Sequence, residues 1–199
     1  GYLVIGRNRE ARHCLADALT HGEKAGWVAV QVKICRTTAA AFANDGDWDS
    51  ALLWLDKAEA LDPPVAAVVV ALDRARLHLR QGAHADALGA LLQLDPAAME
   101  PADRGGYYTA VGQARVATGD VDAACEALVT AIEQLRDVDQ RELGAALFLL
   151  GQVEGMRGNG TRCGELLGES LVIAAKLGLA EQHTIRAVIE RITKQAEQS

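Results

Sequence analysis

Five histidines, four cysteines and one glycine-rich segment are the places in this chain where side-chain type and spacing bear on chemistry. His13 and His21 lie eight residues apart, His78 and His84 six apart, and His183 stands by itself. None stands in the Ser/His/Asp or Cys/His relation that builds an activated nucleophile. His13 and Asp17 are four apart on one helical face, but no HExxH accompanies them, and a single pair supplies too few ligands for zinc. Cys14, Cys35, Cys125 and Cys163 lack both CxxC spacing and the density of a secreted disulfide framework, so they read as reduced core thiols. Gly155-Met156-Arg157-Gly158-Asn159-Gly160-Thr161 has the glycine content of a phosphate loop ahead of a helix. It has no GK[ST], and it stands where the chain needs a turn. The expectation is a chain without catalytic residues, metal site or cofactor, and therefore not an enzyme.

Composition narrows the classes further. The 199 residues carry 20 Lys+Arg against 27 Asp+Glu, a net charge of −7, and half are hydrophobic. That content excludes disorder and collagen. The acidic balance speaks against direct nucleic-acid binding, which calls for a basic face. The longest strongly apolar run, Val65 to Leu72, falls far short of the roughly 20 residues that cross a bilayer. The N-terminus, Gly1-Tyr2-Leu3-Val4-Ile5-Gly6, has no initiator Met, basic region or cleavage site and so reads as a cut end rather than a signal peptide. Reduced thiols point to a cytoplasmic protein. Fifteen Arg against five Lys, with abundant Ala, matches bacterial GC-rich usage.

A repeat positions these residues. Gly6, Gly46, Gly82, Gly119 and Gly158 are separated by 40, 36, 37 and 39 residues. Five residues after each stands a small side chain: Ala11, Ala51, Ala87, Ala124 or Cys163. Nine residues after each stands Leu: Leu15, Leu55, Leu91, Leu128 or Leu167. Twelve after stand Ala18, Ala58, Leu94, Ala131 and Ser170. Offsets of five, nine and twelve are i, i+4 and i+7, one stripe of an α-helix. Asp47, Asp120 and either Asn159 or Thr161 follow the glycines as N-caps, and Asp139 with Glu142 forms a capping-box pattern.

Ahead of the glycines the pattern predicts first helices over roughly 24–44, 65–80, 103–117 and 139–156. Asp62-Pro63-Pro64, Asp95-Pro96 and Pro101 punctuate the far ends. Two antiparallel helices per unit cannot bury their faces alone and must stack on neighbours, so the chain reads as an all-α solenoid. Its units are a truncated first repeat at 1–21, repeats at 22–62, 63–95, 96–136 and 137–178, and a capping helix over 179–199, all in one domain. The incomplete first unit leaves an apolar face at residues 2–19 that predicts an upstream continuation of the chain.

The stretch Gly46-Asp47-Trp48-Asp49-Ser50-Ala51, then Leu55, Ala58 and Leu61-Asp62-Pro63, resembles the second helix of the tetratricopeptide repeat (TPR). Ala39, Ala75, Gly112 and Gly151, each seven residues before a turn glycine, match the family's small first-helix residue. The longer period and segments such as 169–179 resemble the looser repeats of maltose-activator-type bacterial regulators. The resemblance implies a right-handed superhelix of about four to five repeats. It also implies a concave groove lined by first-helix residues two, three, six, ten and thirteen places before each turn glycine.

Those offsets give Lys33 and Arg36; Val69, Leu72, Arg76, Leu79 and Arg80; Thr109, Gln113 and Val116; and Phe148, Gln152 and Met156. The resemblance thus implies a groove that is basic at one end and apolar-amide at the other. Four cations on a net-acidic chain suit an acidic peptide or anionic ligand. The family's carboxylate clamp is not reproduced, because Ala40 replaces the expected asparagine and Asp73 has the wrong sign. The resulting expectation is an interaction module of a larger bacterial protein that binds a protein or peptide segment. Two alternatives stand beside it. One is the ligand- or peptide-sensing domain of a transcriptional regulator, and the other is a scaffold that forms homo-oligomers through residues 2–19.

Overall fold

The computed structural model describes residues 8–197, with side chains over 9–63 and 66–192. Gly6, residues 2–7 of the apolar 2–19 segment and the side chain of Val65 lie outside the described residues. Ten α-helices and no strand are present among the described residues: α1 (Asn8–Ala25), α2 (Val28–Asn44), α3 (Trp48–Leu61), α4 (Pro63–Arg80), α5 (His84–Leu91), α6 (Pro101–Ala117), α7 (Val121–Leu135), α8 (Gln140–Met156), α9 (Gly160–Leu177) and α10 (Gln182–Glu197). The architecture is an all-α repeat of helix pairs, α2/α3, α4/α5, α6/α7 and α8/α9. The chain divides into two compact units, Gly1–Ala98 and Met99–Ser199.

The turns follow from their residues. Gly46, Gly82, Gly119 and Gly158 all have φ between 78° and 86°, a region where a Cβ is strained, so each ends a first helix and reverses the chain within three residues. Asp47 and Asp120 cap the following helices, each accepting a bond from the backbone amide three residues on, at 3.1 and 3.3 Å. Asp139 does the same for α8 through the amides of Arg141 and Glu142. Asn159 departs from the expectation. Its amide turns back to donate to Glu154 Oε2 at 2.5 Å, so α9 starts without a side-chain cap.

Two boundaries also shift. α1 runs on to Ala25, because the first positive-φ glycine after it is Gly26, and α2 therefore starts at Val28 rather than 24. α5 stops at Leu91, well short of the other second helices. The Asp95-Pro96 step that follows cannot continue a helix, and Asp95 Oδ1 instead accepts from Ala97 N to open a short 3-10 turn over Pro96–Ala98.

The nine-offset leucines form the spine of each core: Leu55, Leu91 and Leu128 are fully buried and Leu167 is nearly so. In the first unit Leu55 packs with Cys35, Ala39, Ala58, Val70 and Leu77. In the second, Leu128, Leu135, Leu143, Leu147, Leu150 and Leu166 form one cluster. α1 fits the stripe less well, with Ala11 buried, Leu15 half-buried and Ala18 exposed.

The second unit has a device the first lacks. Gly105 and Gly112 on α6 sit directly against Leu135 and Leu128 of α7, and Gly144 and Gly151 on α8 against Ile173 and Leu167 of α9. Glycines seven apart on a first helix thus accept branched side chains from the second helix, drawing the two backbones together.

Candidate binding cleft

The groove positions of the first unit do not form a free basic surface. Arg36 Nε lies 2.5 Å from Asp73 Oδ2, with both side chains 17% exposed, and Arg76 Nη1 approaches Oδ1 of the same carboxylate at 3.5 Å. Arg80 Nη2 donates to Asn44 Oδ1 at 2.5 Å. Asp73 therefore offsets one of the charges read as a cationic cluster. Leu72 and Leu79 are buried and offer a ligand no surface. Their helix is enclosed by α3 and α5 as well as α2, so its apolar positions go into the core. Lys33 is exposed on α2, and Val69 is half-buried.

The second unit holds an open cleft of about 310 Å³. Gln113 of α6, Arg141, Glu142, Gly144, Ala145, Phe148 and Leu149 of α8, Ser170 and Ala174 of α9, Leu179, Glu181, and Thr184 and Ile185 of α10 line it. Small residues stand among the larger ones of the lining: Gly144 is buried against α9, Ala145 is exposed and Ala174 is buried. A Cβ on Gly144 would come within 3.2 Å of Ile173 Cγ2, so α9 presses closely on α8 here.

One wall depends on the end of α9. Gly178 takes the left-handed conformation, φ 65°, and its amide bonds back into the last turn, as a helix-terminating glycine does. The chain then folds back so that Leu179 and Ile185, both nearly buried, close that side.

The floor has no polar group to offer. The one hydroxyl there, on Ser170, donates to Gly144 O at 2.8 Å and is 1% exposed. Polar groups stand at the rim: exposed Gln113, Arg141, Glu181 and Thr184, with Glu142 half-buried. Such a site binds by burying apolar side chains and orients them through its edges. It contains no nucleophile paired with a base.

Of the groove residues read from the sequence, Gln113 and Phe148 stand in this lining. Thr109 is buried, its hydroxyl bonded to Gly105 O at 3.0 Å. Val116 packs on the core, Met156 is exposed, and Gln152 is half-buried on α8 outside the lining. Ala145, thirteen before Gly158 and so also on a groove offset, stands in the lining too. Leu179, Glu181, Thr184 and Ile185 carried no signal, since no turn glycine follows α10 to set a register.

A second polar cluster lies at the end of α8. Glu154, nearly buried, accepts from Asn159 Nδ2, from Cys125 Sγ at 3.3 Å and from Arg157 Nη1 at 3.3 Å, and Arg157 also meets Asp122 at 3.4 Å. The Asn159 amide foremost, then Cys125 and Arg157, hold the Glu154 carboxyl below its usual value, against the opposing effect of burial. Burial pushes the thiols of Cys35, Cys125 and Cys163 up, so they stay protonated at neutral pH. This cluster ties the turn at 157–159 to α7 and α8.

A carboxylate whose folded-state value is depressed stabilises the fold above its unfolded titration and loses that contribution as pH falls. Comparing wild type with Glu154→Gln by urea unfolding should therefore give a stability advantage for wild type that is constant above about pH 5 and shrinks toward pH 3. An advantage that grows on acidification contradicts the assignment.

No group of three or more His, Cys, Asp or Glu side chains among the described residues is placed to hold a metal. No described helix is long and apolar enough to cross a membrane. No family model and no curated protein matches the sequence. Solved structures do match. One is that of a Podosopora anserina kinesin-light-chain-like protein with nearly identical TPR-like repeats, 19% identical, covering 86% of this chain and 88% of that one, with TM-score 0.51. Another is a double mutant of MamA (RS-1 ArsTM), 17% identical, covering 83% of this chain and 96% of that one, also with TM-score 0.51. The fold is TPR-like.

Proposed function

We propose that this TPR-like chain is a non-enzymatic interaction module that seats one or two large apolar side chains of a peptide or protein segment in the cleft between α6, α8, α9 and α10. The observation that carries the reading is the cleft itself, open at the surface, floored by Phe148, Leu149, Ala174 and Ile185, and rimmed by polar side chains. TPR-like folds serve typically as scaffolds for other proteins, which agrees with a site built for contact rather than reaction. In this reading the module belongs to a larger cytoplasmic bacterial protein. Selectivity comes from the few side chains that fit the cleft, and the paired arginines of the first unit contribute little.

The test fills the cleft without touching the core. Ala145 is exposed on α8, so Ala145→Phe leaves the helix intact and occupies the space. A twelve-residue random peptide library selected on wild type, then counter-selected on the full-length Ala145→Phe chain, should yield sequences with a shared pair of large apolar residues that bind wild type only. Equal enrichment on both proteins, or none, contradicts the reading.

A sensor domain for a small ligand is favoured by one observation, since the cleft volume lies at the lower end of the range for small-molecule sites. A compound library that stabilises wild type thermally but not Ala145→Phe would support it over the peptide.

A further inference from the structure

The walls of the cleft are not held equally. α8 lies between α7 and α9, with Leu143, Ala146, Leu147 and Val153 buried along its length. α10 packs chiefly on α9 and barely meets α8 directly. Of its apolar stripe Ile185 is nearly buried, whereas Val188, Ile189 and Ile192, further along the helix, are only half-buried. The anchor of α10 is therefore its first two turns and Leu179, just after the left-handed Gly178 that ends α9. A helix of this length is marginal in water by itself, so so small a buried face makes its docking shallow.

The cleft joins these two walls. Thr184 and Ile185 of α10 line it together with Ala145, Phe148 and Leu149 of α8, so an apolar group seated there touches both helices. It supplies contacts that α8 and α10 do not make with each other. We infer that α10 is a movable wall whose docking is linked to occupancy of the cleft: a bound apolar segment fastens α10 to α8. A segment that gains contacts with docked α10 shifts the helix toward that state, and weakening the helix weakens the segment in turn. This rests on the reading of the cleft as a peptide site and adds how that site is controlled.

The probe is a library peptide selected on wild type and lost on Ala145→Phe, and the protein is the full chain. In free wild type, hydrogen exchange of amides over 185–192 should be faster than over 143–153 of α8. Saturating peptide should slow amides 188–192, which lie beyond the lining, by about threefold or more. Ala187 is exposed on α10 and outside the lining, so substitution there changes the helix and leaves the cleft surface as it is. Ala187→Gly and Ala187→Pro weaken α10 progressively. Peptide affinity should fall about twofold in the first and about tenfold or more in the second, with α8 protection unchanged.

If Ala187→Pro also loses protection in α8, Ala187→Gly decides with the same expectation. Amides over 185–192 as slow as those of α8 in the free protein, exchange over 188–192 that the peptide leaves unchanged, or affinity unaffected by the substitutions would overturn the inference. The cleft would then remain a peptide site with a fixed wall. A selection that yields no peptide sensitive to Ala145→Phe would overturn both.

Discussion

Gly112→Val destabilises the second unit by about 3 kcal/mol, and Leu128→Ala in the same chain restores part of the loss. The reason is a contact between two helices. A Cβ at residue 112 would stand 2.5 Å from Leu128 Cγ and 2.7 Å from its Cδ2. Leu128 is fully buried among Ala124, Ala131 and Leu147, so it cannot swing aside. A glycine in mid-helix gives up about 1 kcal/mol of propensity relative to alanine, and an exposed site regains it on substitution. Gly164, with nothing within 4 Å of its Cβ position, is the control, and Gly164→Ala should be neutral or stabilising.

At 112 the overlap outweighs that gain. On its own, Leu128→Ala should cost about 2–5 kcal/mol by leaving a cavity. Combined with Gly112→Val, the two should cost at least 1 kcal/mol less than their sum, because the new methyl groups enter the space the leucine vacates. Hydrogen exchange of α6 and α7 amides, or denaturant unfolding of the full chain, reads the effect. Strict additivity would show that α6 and α7 do not meet through this pair.

The second large effect separates two leucines that a composition count treats alike. Leu55 and Leu53 lie two residues apart on α3. Leu55 is fully buried against Cys35, Ala39 and Val70, whereas Leu53 is 68% exposed. Leu55→Ala should therefore destabilise the first unit by about 2–5 kcal/mol. Leu53→Ala should change stability by less than about 0.5 kcal/mol. Similar losses at both positions would mean that the stripe counted from Gly46 does not describe the packing of α3.

That contrast shows what was legible in the sequence. The turn glycines, the alanines five residues on and the leucines nine residues on could be read directly, because a positive-φ turn and a helical stripe both leave residue types at set spacings. Asp47, Asp120 and Asp139 were legible as caps for the same local reason. Asn159 was not, because its amide had a stronger competitor in Glu154, which lies five residues back and faces it only once the turn has formed. The short α5 was marked by Asp95-Pro96, but where the helix stops before a proline is decided by packing as well as by the ring.

The cleft was legible in part. Gln113 and Phe148 stand at offsets that first helices of this kind present outward. Gly144, Ala145 and Ala174 also stand in the lining, and small residues announce close packing and a void equally well. The basic cluster misled for a related reason. Arg36 and Asp73 are 37 residues apart, one repeat, so the ion pair appears only when first helices α2 and α4 lie side by side. Leu72 was read outward because its offset was counted without asking how many helices surround α4.

The most direct test of the central claim is an amide-shift map. The full-length chain labelled with nitrogen-15 is titrated with a peptide selected on wild type and lost on Ala145→Phe. Shifts should concentrate on residues 141–149, 170–174 and 179–185, with Gln113 among them, and disappear in Ala145→Phe. Shifts centred instead on Lys33, Arg76 and Arg80, or a spectrum unchanged at saturating peptide, would contradict a binding site in this cleft.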